Sequence, residues 1–384
     1  IHMNIKENQI FSNLFVLEIA NNHWGSLDRG IKIINTYGRI VKENGVRAAI
    51  KLQFRDPKTF IHTDYQDSED IRYIKKTKQT YMSEKNLKKL INQIKRVGAL
   101  TMSTPFDEKS VQTIKDFDLD LVKIASSDIT DWPLIEKIGG LKKPTIVSTG
   151  GAQEVDLDNI VNFFFNRKIP LALNHCISLY PTEDSELALN QIKYLRDRYP
   201  ENIIGFSSHE YNDWSSSMLL SYAMGARTWE RHVDIDEGDF EVSNYCSLPE
   251  QVDHWFKSYY KAKEMLEAPE YSRRSISKRE KEYLDSLTRG IYAKKNIKKG
   301  YKFTQKSFEN DFYLSIPLNK GQISCNEIIN DVTLTSDIKK DDILSINHID
   351  GPYNENKKLK ARIEKRGYEK SKVVNLETSI NKIS

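Results

Sequence analysis

Short runs of apolar and β-branched residues recur along the first two-thirds of the chain. The stretches between them return their apolar positions every three or four residues. The runs are Phe15–Ala20, Arg47–Phe54, Leu100–Phe106, Leu121–Ser126, Pro144–Gly150, Pro170–Cys176, Ile203–Ser208 and Thr228–Asp234. Each has the length and composition of a strand. Between them, Leu27–Asn44 sets Ile31, Ile34, Ile40 and Val41 on one side of a helix, and Glu84–Gly98 does the same with Leu87, Leu90, Ile91 and Ile94. Asp107–Phe117, Trp132–Gly139, Asp156–Asn166, Glu186–Tyr199 and Ser215–Gly225 continue the series. Strand–helix alternation implies parallel strands, because parallel neighbours need crossover connections. Eight such units over about 240 residues predict a (β/α)₈ TIM barrel. The alternative, an open doubly wound sheet, calls for a glycine-rich turn after its first strand. That turn here reads Asn21-Asn22-His23-Trp24-Gly25, so the barrel is the expectation.

The pattern changes after residue 255. The barrel domain is expected over 1–270, ending in a helix at Trp255–Glu267, and a basic, serine-rich linker over 271–286. Residues 287–350 show short strand and turn signals at Gly290–Ala293, Lys298-Lys299-Gly300, Gly321–Ser324, Lys339–Asp342 and Ile343–Asn347. They read as a small β-rich domain. Residues 351–384, rich in lysine and glutamate, read as a flexible charged tail or a lone surface helix.

Composition narrows the functional classes. Lys and Arg total 58 against 54 Asp and Glu, too even a balance for nucleic-acid binding driven by charge. Three cysteines, Cys176, Cys246 and Cys325, form neither a disulfide framework nor a zinc motif. No apolar run has the roughly 20 residues of a membrane span. Ile1-His2-Met3 reads as a cloning remnant with no signal-peptide core behind it. A cytoplasmic protein, with neither nucleic acid nor membrane as partner, is expected.

Polar residues crowd the late ends of the strand runs: Glu18, Lys51, Gln53, Thr104, Lys123, Ser126, His175, Ser207, His209, Glu230 and His232. Barrel strand ends converge on one face, where active sites are built. Any one of these is ordinarily a hydrogen-bonded rim residue. Charged groups late in four apolar strands form a stronger pattern, because burying them unpaired is costly. His209 and His232 end adjacent strands and, with Glu18 or Glu230 near, suit a divalent first-row metal. Lys51 and Lys123, with hydroxyls beside them, suit a phosphate or carboxylate; a Schiff-base lysine is the alternative. Ser148-Thr149-Gly150-Gly151 offers backbone N–H groups to a phosphate. His175 and Cys176 are adjacent on a strand and point to opposite faces, which excludes a Cys–His nucleophile pair and leaves Cys176 a buried thiol.

These segments, in order, resemble the sialic acid (N-acetylneuraminate) synthase family and its legionaminic, pseudaminic and spore-coat relatives. The resemblance rests on Glu18-Ile19-Ala20-Asn21-Asn22-His23-Trp24-Gly25, Lys51-Leu52-Gln53-Phe54, Ser103-Thr104-Pro105-Phe106-Asp107 and Lys123-Ile124-Ala125-Ser126. It continues through Ser148-Thr149-Gly150, His175-Cys176 with Tyr180-Pro181-Thr182, Gly205-Phe206-Ser207-Ser208-His209 and Glu230-Arg231-His232. Residues 287–350, from Arg289-Gly290-Ile291-Tyr292-Ala293, resemble the family's antifreeze-like (SAF) domain. The resemblance implies condensation of phosphoenolpyruvate with the open-chain aldehyde of an N-acyl hexosamine or related aldose, giving a 3-deoxy-2-ulosonic acid and phosphate for surface polysaccharide. It implies Glu230, Glu18, Lys51 and Lys123 as catalytic residues, with Glu230 the general base. Thr104, Ser126, Ser148, Ser178, Tyr180, Ser207, Gln53 and Asn174 would bind substrate. His209 and His232 would hold Mn²⁺, or Mg²⁺ or Co²⁺, and the SAF domain would cap the partner's barrel in a domain-swapped homodimer.

The sequence departs from the family pattern in several places. Ser208 stands where an aspartate precedes the histidine, and Ser178 stands for an asparagine. Ser243 stands for an aspartate, and Ser315-Ile316-Pro317 replaces Lys-Arg-Pro. A different acceptor sugar from N-acetylmannosamine is therefore expected. The competing readings are a catalytically silent barrel that binds a glycan or partner protein, and a metal aldolase using pyruvate.

Overall fold

A computed structural model describes residues 9–327 and 332–368. The described chain divides at Glu267/Ala268 into two compact units. In the first, eight parallel strands close into a barrel in sequence order, β1 also pairing with β8. They are β1 Leu14–Ala20, β2 Arg47–Phe54, β3 Leu100–Pro105, β4 Leu121–Ile124, β5 Thr145–Ser148, β6 Leu171–Cys176, β7 Ile203–Ser208 and β8 Thr228–His232. All eight expected strands are present, as are helices α1 Leu27–Asn44, α3 Glu84–Arg96, α4 Glu108–Asp116, α5 Trp132–Gly140, α6 Glu154–Asn166, α7 Asn190–Arg198, α8 Ser216–Met224 and α9 Pro249–Met265. The patterning missed α2, Arg72–Gln79, which lies in a polar stretch with only Thr77 buried.

Strand periodicity sorts the barrel's side chains into an outer shell and two inner layers. Outward residues such as Phe15, Leu17, Ile50, Val122 and Trp229 pack against the helices. Inward residues early in the strands (Leu14, Val16, Ala49, Met102, Leu121, Ile146 and Ala172) join Phe11 in an apolar plug. Two residues further along several of the same strands the inward positions turn polar: Val16 gives way to Glu18, Ala49 to Lys51, Met102 to Thr104, Leu121 to Lys123 and Ile146 to Ser148. Dry packing below and charge above is the division that places a site at the C-terminal face.

The second unit contains α10 Lys278–Leu287 and an antiparallel pair, β9 Gly290–Ala293 with β10 Phe312–Ser315. Other short strand signals pair through isolated bridges, including Gly290↔Ser324, Tyr292↔Ile343 and Gln322↔Ser345. Two expectations change. Half of the expected linker is α10. The segment read as a charged tail forms, up to Tyr368, part of this unit: Ile363 of α11 (Lys357–Lys365) is buried in its core, and Arg366 donates to the buried Glu327 carboxylate at 2.6 Å. One apolar residue per helix turn gave too little periodicity to reveal it. Residues 369–384 and the opening Ile1-His2-Met3 lie outside the described residues. Among the described residues no helix is long and apolar enough to cross a membrane.

Gly205 of β7 faces the barrel interior, where an added Cβ would lie 2.1 Å from Asn174 Oδ1 and 2.7 Å from the Thr228 carbonyl oxygen. Gly205→Ala should destabilise the barrel by about 1–3 kcal/mol, read as a lowered unfolding midpoint; an unchanged midpoint would contradict this packing.

Candidate active site

At the C-terminal ends of the strands lies a cavity of about 580 Å³. Glu18, Lys51, Gln53, Thr104, Lys123, Ser126, Ser148, Ser178, Tyr180, Ser207, His209, Glu230 and His232 all line it. Asn174, expected as a substrate contact, does not line it. Asn174 is fully buried on the barrel axis, and neither amide atom has a hydrogen-bond partner.

Lys51 is the hub. Its ammonium forms an ion pair with Glu18, another at 2.9 Å with Glu230 Oε1, and donates to Thr104 Oγ1 at 3.0 Å, all of these groups being buried. Lys123 donates to Ser148 Oγ at 2.6 Å and lies 3.7 Å from Glu230 Oε2. That carboxylate oxygen is buried and accepts no hydrogen bond. Burial pushes the Glu230 carboxyl up, but Lys123 and Lys51 outweigh it and hold it down to about 2. The two lysines diverge. Burial lowers both, yet Glu18 and Glu230 raise Lys51 above its ordinary value, whereas Lys123 stays below it.

His209 and His232 face one another with ring centroids 5.4 Å apart, and the Tyr180 ring lies 4.0 Å from His209. Burial drives both imidazoles down to about 3, so each is neutral. His209 Nδ1 donates to the Ile177 carbonyl at 3.0 Å, which leaves Nε2 as its ligand atom. Among the described residues no cluster of three His, Cys, Asp or Glu side chains is placed to hold a metal, and Glu18 and Glu230 are both paired with Lys51. The pair fits an ion that takes its other ligands from water or substrate.

The outer face of β7 and β8 fixes these histidines. Arg231, buried between Glu230 and His232 in sequence, donates to Glu210 Oε1 at 2.6 Å, Ser247 Oγ at 2.9 Å and Ser208 Oγ at 3.1 Å. Ser208 therefore points away from the cavity, which corrects its reading as a sugar-contact position. His175 likewise faces outward, its Nε2 bonded to the Leu187 carbonyl at 2.8 Å, while Cys176 faces the cavity.

The cavity also contains residues that the sequence reading missed. Arg55 continues the inward series of Lys51 and Gln53, a signal that was available. Asp128 comes from the 3₁₀ turn Ser126–Asp128, Tyr245 from a loop, and Arg72, Tyr73, Lys76 and Thr77 from α2, where no apolar period marks a helix.

A closed barrel whose charged residues meet around one cavity at the C-terminal strand ends defines a barrel enzyme. Residues 40–269 match the model of the NeuB family, and the chain belongs to that family. An uncharacterized protein of Methanocaldococcus jannaschii is 30% identical over 317 residues, 79% of this chain and 88% of its own. A pseudaminic acid synthase of Campylobacter jejuni is 28% identical over 310 residues, 77% of this chain and 85% of its own. A crystal structure assigned to spore coat polysaccharide biosynthesis protein E of Chromobacterium violaceum superposes with a TM-score of 0.82 at 32% identity, covering 88% of this chain and 100% of that one. These relatives agree with the resemblance to the sialic acid synthases.

Lys51→Met should cost about 3–5 kcal/mol by leaving buried carboxylates unpaired. The pH dependence carries a sign. A carboxyl held below 4.5 when folded contributes stability above that pH and loses it as the pH falls toward about 2. Without Lys51, burial favours the protonated form instead. The stability gap between wild type and variant should be widest at neutral pH and narrow below about pH 4.5 in denaturant titrations. A gap that is constant with pH would contradict the assignment.

Proposed function

We propose that the chain condenses phosphoenolpyruvate with the aldehyde of an open-chain aldose, releasing phosphate and forming a 3-deoxy-2-ulosonic acid. The observation that carries this is the buried Lys51–Glu230–Lys123 array beside the hydroxyls of Thr104, Ser126, Ser148, Ser178 and Ser207. Two ammonium groups and several hydroxyls suit a donor that carries both a phosphate and a carboxylate; pyruvate would engage fewer of them. A divalent ion at His209 and His232, Mn²⁺ first and Mg²⁺ or Co²⁺ as alternatives, would supply charge that polarises a carbonyl oxygen.

In this reading C3 of phosphoenolpyruvate attacks the aldehyde carbon, forming the C–C bond and leaving a cation at C2. The former aldehyde oxygen takes up a proton. Water adds at C2, passing a proton to Glu230, and collapse of the tetrahedral centre expels phosphate to leave the C2 ketone. Glu230 is too weak a base while both lysines hold it near 2. An anionic donor that draws the lysines to itself weakens that hold and raises the carboxyl toward a useful range. Its unpartnered Oε2 is the atom that can accept the proton. Glu18 and Tyr180 would contact the sugar. A homodimer, with the small unit acting as an SAF-type cap on its partner's barrel, belongs to the same reading, as does a cytoplasmic location.

Purified protein with phosphoenolpyruvate, Mn²⁺ and a panel of aldoses should release phosphate only when a suitable aldose is present. His232→Ala should lower that rate at least about 10³-fold while the unfolding midpoint stays within a few degrees. Turnover that survives both chelation and this substitution would remove the metal role. Pyruvate consumption without phosphate release would favour the aldolase. Failure to bind either phosphoenolpyruvate or metal would favour a silent barrel.

A further inference from the structure

The inner charges of the cavity compensate one another, but the outer ones do not. Arg55, Arg72 and Lys76 line the outer cavity, and among the described residues none of the three is shown within 4.0 Å of a carboxylate. Arg55 donates to Gln53 Oε1 at 2.9 Å and stacks on Phe106 at 3.7 Å, with no acidic partner. Burial pushes this guanidinium down to about 10, against the opposing pull of Glu18, Asp128 and Asp107, none of which is close enough to pair with it. Arg72 and Lys76 occupy i and i+4 of α2 and so share a face. Arg72 opens a helix whose first turn has no acid and whose N-cap, Ile71, provides no side-chain bond. A helix start disfavours a cation, so local helix electrostatics do not account for Arg72. Burial lowers Lys76, and Arg72 and Arg55 lower it further against the opposing Cys246 and Asp234, so both guanidinium groups lie close enough to act on it. Glu18 acts most on Arg55, followed by Asp128 and Asp107, and none of the three forms an ion pair with it.

Arg72 and Lys76 are set apart from the expected phosphoenolpyruvate end. The hydroxyls of Ser126 and Ser178 converge on Gly150, where an added Cβ would lie 2.8 and 2.2 Å from them, and Ser148 meets Lys123 there. That cradle belongs to the ends of β4, β5 and β6. Arg55 follows β2, and α2 follows it. Tyr245, whose ring lies 5.2 Å from His232, feels the charge of Arg72. Arg72, which acts on Tyr245, and Lys76, which acts on His232, thus lie toward the histidine side, where the acceptor aldehyde belongs, and Arg55 lies between that side and Asp128.

We infer that the acceptor is an anionic aldose, bearing a phosphate ester or a carboxylate remote from its aldehyde, and that Arg55, Arg72 and Lys76 receive that group. The inference rests on the condensing reaction proposed above and names the chemical class of its second substrate. Arginines bind either anion through paired N–H donors, and a neutral N-acyl hexosamine offers nothing to match them.

The test is steady-state phosphate release with Mn²⁺ and phosphoenolpyruvate, using hexose and hexosamine 6-phosphates, hexuronic acids and their neutral parents. One of the anionic arms should exceed its neutral parent at least about tenfold in kcat/KM, and the arm that does identifies phosphate or carboxylate. Arg72→Ala with Lys76→Ala should raise the acceptor KM by a similar factor and leave the KM for phosphoenolpyruvate within about twofold. Equal or better use of neutral parents, or a raised KM for phosphoenolpyruvate instead, would overturn the inference. Calorimetric binding of the same sugars separates it from the reaction. Anionic sugars that bind wild type and not the double variant, without turnover, would sustain the cation site while the condensing reading fails. Wild type that binds none of them would overturn the site.

Discussion

The rest of the site depends on one buried ammonium held between two buried carboxylates. Lys51 sits inside the barrel with Glu18 on one side and Glu230 on the other, and Lys123 approaches Glu230 from the far strand. None of these charges tolerates isolation in that interior, because desolvation of a lone ion costs several kcal/mol. Together they are balanced. An anion entering the cavity does not meet an empty cationic pocket; it competes with carboxylates already in place. A donor with two anionic groups competes better than one with a single group. Its arrival changes what the displaced Glu230 carboxylate can do.

The same arrangement separates tasks along the cavity. The cavity holds a charge-balanced cluster of lysines and carboxylates with hydroxyls around it, two neutral imidazoles, and three cations, Arg55, Arg72 and Lys76, that form no ion pair among the described residues. In the proposed reaction, binding, polarisation and proton transfer would draw on different groups, which would spare each residue opposing demands on its charge state. The outward network of Arg231 holds the middle in place from behind. The buried Glu210 carboxylate and the Ser208 hydroxyl both accept from Arg231 and complete that support, so Ser208 serves the barrel wall and makes no contact in the cavity.

Much of this was legible in the sequence because a barrel strand writes its geometry with period two. Val16 before Glu18, Ala49 before Lys51 and Leu121 before Lys123 state an apolar layer followed by a charged one, and thirteen of the fourteen expected site residues line the cavity. The exception, Asn174, obeys the same period but belongs one level too deep, a matter of barrel stagger that periodicity does not encode. Arg55 was overlooked although it continues the series 51, 53, 55. Helix α2 was illegible for a different reason. Its polar face turns to the cavity and its opposite face to solvent, so no apolar stripe was required. Arg366 was hidden likewise, since its buried partner Glu327 lies 39 residues away.

The most direct measurement is proton uptake when phosphoenolpyruvate binds, obtained by calorimetry in buffers of different ionisation enthalpy and compared with Glu230→Gln. If the donor draws the lysines away from Glu230, wild type takes up protons in excess of the variant, and the excess grows as the pH falls toward the ordinary carboxylate range. Equal uptake by both proteins with the donor bound, or no binding of the donor at all, would contradict the account.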